Sequence, residues 1–229
     1  MGAFTPQEFQ QFGQALPNNW EPSFRSSMRP AQSYSVVGGN TFGRIGLVGA
    51  VSFSNKPQFQ SESQKYLRQQ GTRPAVFSDY SDFRSYVETA RLGAVFNAAI
   101  RLNPANKLVW RNTITRDTDK EAREFQGQDG GTDSVLFSQR LRFIERGLLS
   151  TSLEGEHAMA NLGNSLFKWQ LTYSRSSRNE PDMREVFRGL GGGGQFGFAA
   201  LGSSGLRFFN DLTDKIYEPQ AEFSRPFFK

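Results

Sequence analysis

An alternation of apolar and polar side chains between residues 134 and 177 constrains this chain most. Across residues 134–156 the odd positions are mostly apolar and the even positions mostly polar, and the pattern resumes after a break at residues 158–164. Successive side chains of a strand point to opposite faces, so each run predicts a strand with one apolar and one polar face. Three apolar residues interrupt the first run at even positions: Leu136, Ile144 and Leu148. Two consecutive strands of this length and character favour the wall of a transmembrane β-barrel.

Composition is compatible with this interpretation. The 229 residues are only 37% hydrophobic and contain no run of about 18 apolar residues, which excludes a membrane-spanning helix. A polar average does not exclude a β-barrel, because alternation hides the membrane signal, and 22 Phe favour strands. The absence of Cys excludes disulfides and thiolate metal sites. We expect His157, the single histidine, to be an ordinary strand residue, so no catalytic, metal or cofactor site is predicted.

The same reasoning along the whole chain predicts an all-β, antiparallel, up-and-down transmembrane β-barrel segment of about seven long strands. An odd strand number in a chain of this length predicts an open, incomplete barrel. Residues 1–30 are expected to be irregular, apart from a short helix at residues 6–16 capped by Thr5, with Pro6 at its first position. The predicted strands are residues 32–38, 44–55, 85–102, 107–118, 134–157, 165–177 and 214–227.

The predicted connections alternate between short and long. Short turns are expected at residues 38–43, 103–106 and 158–164, and long loops at residues 56–82, 119–132 and 179–211, the first with a short helix at 61–70. Transmembrane barrels combine short periplasmic turns with long extracellular loops, so we place the long loops outside the cell. Three aromatic residues in these predicted loops are candidates for ligand contact: Phe77, Tyr80 and Phe125.

The alternation assigns side chains to the two faces. The candidate membrane-facing residues are Leu92, Phe96, Trp110, Phe143, Trp169, Leu171 and Tyr173, of which Trp110, Trp169 and Tyr173 are candidates for interfacial aromatic girdles. The candidate lumen-lining residues are Arg91, Arg101, Arg111, Arg140, Arg142, Arg146, Glu154 and Glu156. These charges are compatible with a ligand path or a plug contact, and equally with a wet interior wall held by cross-strand ion pairs.

The net charge of +5 does not predict nucleic-acid binding, because the Arg residues are spread along strands rather than gathered in a stripe. Residues 189–194 are glycine-rich but lack the ending of a phosphate loop, and predict a flexible loop. Asp117, Asp119 and Glu121 begin like a calcium loop, but the Gly and Glu that such a loop needs are missing, which favours a solvated loop. The segment at residues 180–184 is expected to end a strand and shape the following loop, because Pro181 restricts Glu180 to extended geometry.

Several short motifs occur in an order typical of one family. They are Leu-Arg-Phe-Ile-Glu-Arg at 141–146, Leu-Glu-Gly-Glu-His at 153–157, Trp169 followed by Thr-Tyr-Ser-Arg-Ser at 172–176, Glu-Pro-Asp-Met-Arg at 180–184, Asp214-Lys, and Phe-Ser-Arg-Pro-Phe at 223–227. In this order and spacing the chain resembles the barrel domain of TonB-dependent outer-membrane receptors. The resemblance covers residues 80–229 well and residues 1–79 loosely.

The resemblance implies a full barrel of 22 strands, closed by an N-terminal plug, in the outer membrane of a Gram-negative bacterium. It implies energised import of a scarce small-molecule ligand (a siderophore, cobalamin or glycan) through the TonB–ExbB–ExbD complex, which acts on the plug. Residues 1–229 would then be a partial barrel domain in contact with outer-membrane lipid, from the middle of a longer chain, because neither a plug nor a signal peptide is recognisable.

Two alternatives remain open from the residues alone. One is another outer-membrane barrel, such as a porin or a small enzyme barrel. The other is a soluble all-β binding or adhesin-type structural protein, which would hide its apolar faces between two sheets.

Overall fold

The computed structural model describes residues 5–22, 28–202 and 204–227, except for the side chain of Phe9. Parts of the predicted irregular N-terminal segment, residues 1–4 and 23–27, therefore lie outside the described residues. The predicted helix is confirmed as α1, Pro6–Ala15. Thr5 caps it: the Thr5 hydroxyl accepts from the Glu8 amide at 3.3 Å, and the Glu8 carboxylate accepts from the Thr5 amide at 2.7 Å. Within the described part of the chain, no helix is long and apolar enough to span a bilayer.

The rest of the described chain is one antiparallel sheet of eight strands, seven of them long. Their bounds are β1 Gln32–Phe42, β2 Ile45–Gln70, β3 Arg73–Asn103, β4 Asn106–Asp129, β5 Ser134–Met159, β6 Ser165–Leu190, β7 Phe196–Phe198 and β8 Leu206–Ser224. Consecutive strands pair up to β6, which pairs with β8 and, at its end, with the short β7. Among the described strands, β1 pairs only with β2 and β8 only with β6, so the sheet is open. The predicted all-β, up-and-down, unclosed architecture is confirmed.

The three predicted long loops are wrong. Residues 56–70 and 73–82 complete β2 and β3, residues 119–129 complete β4, and residues 179–190 and 206–211 belong to β6 and β8. The helix expected at 61–70 is strand as well. These segments mix polar, apolar and aromatic residues without a sustained alternation. Pairing with the neighbouring strands makes them strands. At about 3.3 Å per residue, a strand such as β3 extends for roughly 100 Å.

Turns join the long strands at two ends of the sheet. We call the end with the turns at residues 43–44, 104–105 and 160–164 the proximal end. The distal end has the turns at 71–72 and 130–133 and the connection from β6 to β8, which contains β7. Gly43 and Gly71 have φ of 59° and 63°, the left-handed conformation that favours glycine in tight turns. The short turns predicted near residues 103–106 and 158–164 are confirmed.

The strand end predicted at residues 180–184 is wrong: strand β6 has bulges there and continues. The β5–β6 register shifts between Leu141 and Glu145, and the β6–β8 register shifts between Glu180 and Met183. Pro181 lies at this irregularity, where no ladder hydrogen bond from its nitrogen is needed. Strand β6 therefore continues to Leu190 instead of ending near Glu180.

A single sheet has little interior, and few apolar side chains are buried. Among the described residues, the apolar side chains with less than one tenth of their surface exposed are Leu136, Ile144 and Val186. Leu136 and Ile144 are two of the residues that interrupt the alternation of β5, and they lie among the polar side chains of the distal half. Ile144 lies between Arg142 and Arg146, whereas Leu136 packs over Gly127 and Gly189 on the neighbouring strands.

Candidate functional site

Cross-strand register assigns every candidate site residue to a face. Residues directly opposite each other on paired strands share a face of the sheet. Asp117 of β4 is opposite Arg91 of β3 on one side and Arg146 of β5 on the other, so these three side chains share a face. The same parity places all the candidate lumen-lining residues on this face, which we call the charged face: Arg91, Arg101, Arg111, Arg140, Arg142, Arg146, Glu154 and Glu156. Most of the charges belong to β3–β6 and β8. Strand β1 and the proximal half of β2 contribute mostly small residues to this face, whereas the distal half of β2 adds Lys56 and Glu62.

The candidate membrane-facing residues all lie on the opposite face. In the proximal half this face carries a continuous surface that we call the apolar band: Val36, Leu47, Val51, Phe53, Leu92, Phe96, Trp110, Ile114, Leu149, Leu153, Leu171, Tyr173 and Tyr217. Val36 is 75% exposed and Leu171 55% exposed, and no described residue of the chain covers them. Phe143 shares this face but lies beyond the band, opposite Lys120.

The distal half of the charged face holds a network of ion pairs. Arg140 is 2.7 Å from Glu121, and Arg123 is 2.9 Å from Glu185. Arg146 is 2.7 Å from Asp119, which also accepts a hydrogen bond from the Thr89 hydroxyl at 2.8 Å. These pairs join β4 to β3, β5 and β6, so cations and anions of neighbouring strands neutralise each other across the sheet.

Glu180 is the most buried charge of this network, at 2% exposure. Its carboxylate accepts from Arg142 at 2.7 Å and from Arg178 at 3.2 Å. Burial raises the pKa of Glu180, but the hydrogen bonds and charges of Arg142 and Arg178 outweigh it, so the pKa lies below its ordinary value. The bulges on both sides of residue 180 set this carboxylate between the two guanidinium groups.

The proximal half of the charged face is more open. Arg111 and Glu154 form an ion pair at 2.8 Å. A shallow groove of about 640 Å³ lies beside them, with Lys107, Glu156 and Lys168 among its lining residues. Arg101 is directly opposite Lys107. The groove offers both signs of charge to solvent and does not enclose a ligand.

A group of rings lies on the charged face near the distal end, and we call it the distal aromatic cluster: Tyr66, Tyr80, Phe83, Phe125 and Phe187. The rings of Phe83 and Phe125 stack, with centroids 5.6 Å apart and planes within 7°. Tyr80 and Phe187 meet Phe125 edge-on at 4.9 and 6.4 Å, and Tyr66 meets Tyr80 at 6.0 Å. Strands β2, β3, β4 and β6 all contribute, so the cluster forms only once the sheet is paired.

Polar side chains, among them Arg123 and Asp129, lie next to these rings. The Arg123 guanidinium carbon is 5.8 Å from the centroids of both Phe83 and Phe125. Burial, and next the charge of Arg140, lower the pKa of Arg123. Tyr80 donates to Asp129 at 2.7 Å; burial first and this hydrogen bond second raise the pKa of Tyr80 to about 12. The phenol is therefore a neutral donor at physiological pH.

Two glycines allow β4 to pack closely on β3 at this point. A Cβ on Gly127 would stand 2.0 Å from the carbonyl oxygen of Asp79, and one on Gly130 equally close to that of Phe77. The β3–β4 register is irregular between Asp79 and Asp82. This bulge and the glycines together bring Tyr80 onto the same face as Phe125.

The other face carries its own aromatic contacts near the proximal end. The indole of Trp169 covers Gly155 and donates to Nε2 of His157 at 3.0 Å, while Nδ1 of His157 is 2.6 Å from Oδ1 of Asn106. His157 thus lies within β5, as expected, and braces three strands. Measured from the proximal turns, Trp169 is the nearest of the three aromatic residues, Trp110 is farther and Tyr173 is the farthest. The ring of Tyr173 lies 5.0 Å from that of Tyr217. Their role as interfacial girdles stays a prediction.

The distal half of this second face binds the chain's own N-terminal segment. Arg184 donates to the carbonyl of Asn19 and Arg207 to that of Pro17, and the Arg207 guanidinium lies 5.3 Å from the Trp20 ring. Asp182 lies 2.7 Å from Arg184 and holds the two cations together. The distal half of this face therefore mixes such polar contacts with apolar side chains such as Phe59 and Phe143.

The acidic residues that resembled a calcium loop are in strand β4, not in a loop. Asp117 is 3.7 Å from Arg91, Asp119 pairs with Arg146, and Glu121 pairs with Arg140. Among the described residues, no group of three His, Cys, Asp or Glu side chains could hold a metal ion.

Sequence reasoning found the charged arginines but missed most of their partners. Phe77, Tyr80 and Phe125 were expected on loops and lie in strands; Tyr80 and Phe125 belong to the distal aromatic cluster. Tyr66, Phe83, Phe187, Arg123 and Glu185 were not singled out, because their strand segments lack alternation. The one signal available was the placement of Arg123 two positions from Phe125, which puts a cation and a ring next to each other on one face of a strand.

Comparisons of the chain with protein-family models, with curated proteins and with solved structures found no match.

Proposed function

We propose that this chain is part of the β-barrel wall of a TonB-dependent outer-membrane receptor, which imports a scarce ligand of the siderophore, cobalamin or glycan class. The barrel contacts outer-membrane lipid, and TonB–ExbB–ExbD acts through the receptor's plug domain. The proposal assigns a transport role rather than an enzymatic one, with an unidentified small molecule as cargo and no nucleic-acid partner.

One observation carries the membrane part of this proposal. The apolar band runs across the sheet from β1 to β8 on one face only, and its large side chains are uncovered. In a soluble sandwich a second sheet would cover such a face, and exposed apolar patches on soluble monomers rarely exceed a few hundred Å². A lipid bilayer covers this face without further protein.

The charged face supports the same arrangement. Side chains that line a barrel interior are polar, and lipid-facing and interior-facing side chains alternate along each strand. Here Leu92 and Leu171 alternate with Arg91 and Gln170. The transport class and the TonB partner rest on the motif resemblance.

Detergent dependence tests the membrane assignment. We expect the purified 229-residue chain to need detergent micelles or lipid vesicles to stay dispersed with a strand-type circular dichroism spectrum. Analytical ultracentrifugation with and without detergent checks this. Stable monomers in plain buffer would contradict the proposal and favour the soluble all-β alternative.

A further inference from the structure

We propose that the distal aromatic cluster is a binding site for neutral oligosaccharides, in which sugar rings stack on Tyr66 and Phe83 and hydroxyl groups bond to the polar side chains around them. The inference deepens the proposed function, because it names one ligand class among those a receptor of this kind could take.

The shape of the site is the first reason. A hollow of about 450 Å³ lies over the cluster, within the range of roughly 300–1,000 Å³ typical of small-molecule sites. Its lining combines aromatic rings with a few polar side chains: Gln64, Tyr66, Phe77, Ser78, Tyr80, Phe83, Arg123, Phe125 and Asp129. It opens on the charged face near the distal end, where a ligand arriving from that end would meet it first.

The exposed rings are the second reason. Tyr66 is 52% exposed, although its edge contacts Tyr80. The C–H groups of a pyranose ring form a flat apolar face, which gains dispersion energy on an aromatic ring at little conformational cost. Because Phe83 and Phe125 are already stacked on each other, they form a rigid wall rather than a mobile one.

The charge balance is the third reason, and it separates neutral from ionic ligands. Arg123 is 2.9 Å from Glu185, and Asp129 accepts from Tyr80 at 2.7 Å and from Thr132 at 2.8 and 2.9 Å. An anionic ligand would have to compete with Glu185 for Arg123, and a cationic one with the donors that hold Asp129. The negative charge of Asp129 also repels an anion. A neutral ligand therefore has the smallest electrostatic and desolvation cost on binding.

The polar side chains match a polyhydroxylated ligand. A sugar hydroxyl both donates and accepts, and the site offers donors on Arg123 and acceptors on Asp129 and Gln64. The Gln64 carbonyl now accepts from the Tyr66 hydroxyl at 3.2 Å, a weak contact that a ligand hydroxyl can replace.

Saturation-transfer NMR and calorimetry on the folded chain in micelles test the inference, with maltohexaose, xylohexaose and chitohexaose as neutral probes and hexagalacturonate as the anionic one. We expect at least one neutral probe to bind at millimolar concentration or below and more tightly than hexagalacturonate. Tyr66→Ala and Phe83→Ala should each weaken binding by about tenfold, the loss expected when a stacking platform is removed. Tyr217→Ala, which removes an exposed ring from the apolar band, should leave binding within about twofold.

Binding of none of the neutral probes, tighter binding of hexagalacturonate, or equal losses in Tyr66→Ala and Tyr217→Ala would each overturn the inference. These outcomes are independent of the membrane test. A detergent-dependent chain that binds no neutral sugar keeps the proposed barrel and loses the site, whereas a detergent-free monomer that binds sugar keeps the site and loses the barrel.

Discussion

The proximal and distal halves of this sheet use the same strands in different ways. In the proximal half the two faces differ: one carries the uncovered apolar band and the other carries charges such as Arg111 and Glu154. In the distal half both faces carry ion pairs beside apolar and aromatic side chains, with Arg140–Glu121 on one face and Arg84–Glu124 on the other. The same face thus has two different compositions along its length.

This difference shows how a strand can continue beyond an apolar environment. Backbone pairing needs no particular side chain, so β2–β6 extend as long as their neighbours do. Once the apolar band ends, cross-strand ion pairs and rings take over the role of holding adjacent strands in register. Long apolar strands invite edge-to-edge association, and charged side chains such as those of the distal half disfavour it.

The first prediction targets the apolar band. Leu171→Arg should cost roughly 2–4 kcal/mol of folding free energy in a bilayer, because a guanidinium would face lipid within the band, at the level of Leu153 and Trp110. Gln170→Arg is the matched control one residue away on the charged face, and should cost little. Denaturant titrations in lipid vesicles measure both, and equal costs for the two variants would refute the assignment of faces.

The second prediction targets the buried ion pairs of the distal half. Glu180→Gln should lower the free energy of unfolding by about 2–3 kcal/mol, because it leaves Arg142 and Arg178 without their anion. The loss is smaller than for a fully buried pair, since both guanidinium groups are partly exposed to solvent. Urea unfolding at pH 7 measures this loss. A cost near zero would mean that the network does not stabilise the distal half.

The pH dependence of that loss sharpens the test. The pKa of Glu180 lies below its ordinary value of 4.5, so the carboxylate stabilises the fold above that pH, and the contribution disappears as the pH falls through the lowered pKa. The stability difference between the native chain and Glu180→Gln should therefore shrink as the pH falls below about 4.5. A difference that stays constant down to pH 3 would argue against an ionised Glu180.

The smallest effect is expected at an exposed pair. Arg91 and Asp117 are 3.7 Å apart, with side chains 65% and 38% exposed. Asp117→Asn should change stability by no more than about 0.5 kcal/mol, because solvent and salt screen such pairs. The same urea assay, run beside Glu180→Gln, checks the ranking; a larger cost for Asp117→Asn would reverse the comparison between exposed and buried charges.

The sequence predicted the proximal half well for a local reason. Period-2 alternation is a property of neighbouring residues, so Leu92, Phe96 and Arg91 could be assigned to opposite faces before any strand was paired. Helix α1 was predictable for the same reason, because Thr5, Pro6 and Glu8 form a local capping pattern. The number of long strands and the open sheet followed from the same alternation.

The distal half could not be predicted from local patterns. Residues 56–82 contain two prolines and many polar side chains, yet Pro57 is paired opposite Glu88 within β2. At this position β2 extends past the start of β1, so one of its edges is unpaired and tolerates proline. Pro219 is tolerated in β8, which pairs only with β6 among the described strands, for the same reason.

By itself, then, the sequence determined the strand-rich fold, the two faces of the proximal half and the positions of its cationic side chains. Only the tertiary structure decided which anion each arginine meets, because partners such as Arg123 and Glu185 are 62 residues apart in sequence. It also decided where bulges place Glu180 and Tyr80, since a bulge depends on the neighbouring strand's register. Alternation is encoded residue by residue, whereas register is a property of the whole paired sheet, and the distal aromatic cluster exists only through register.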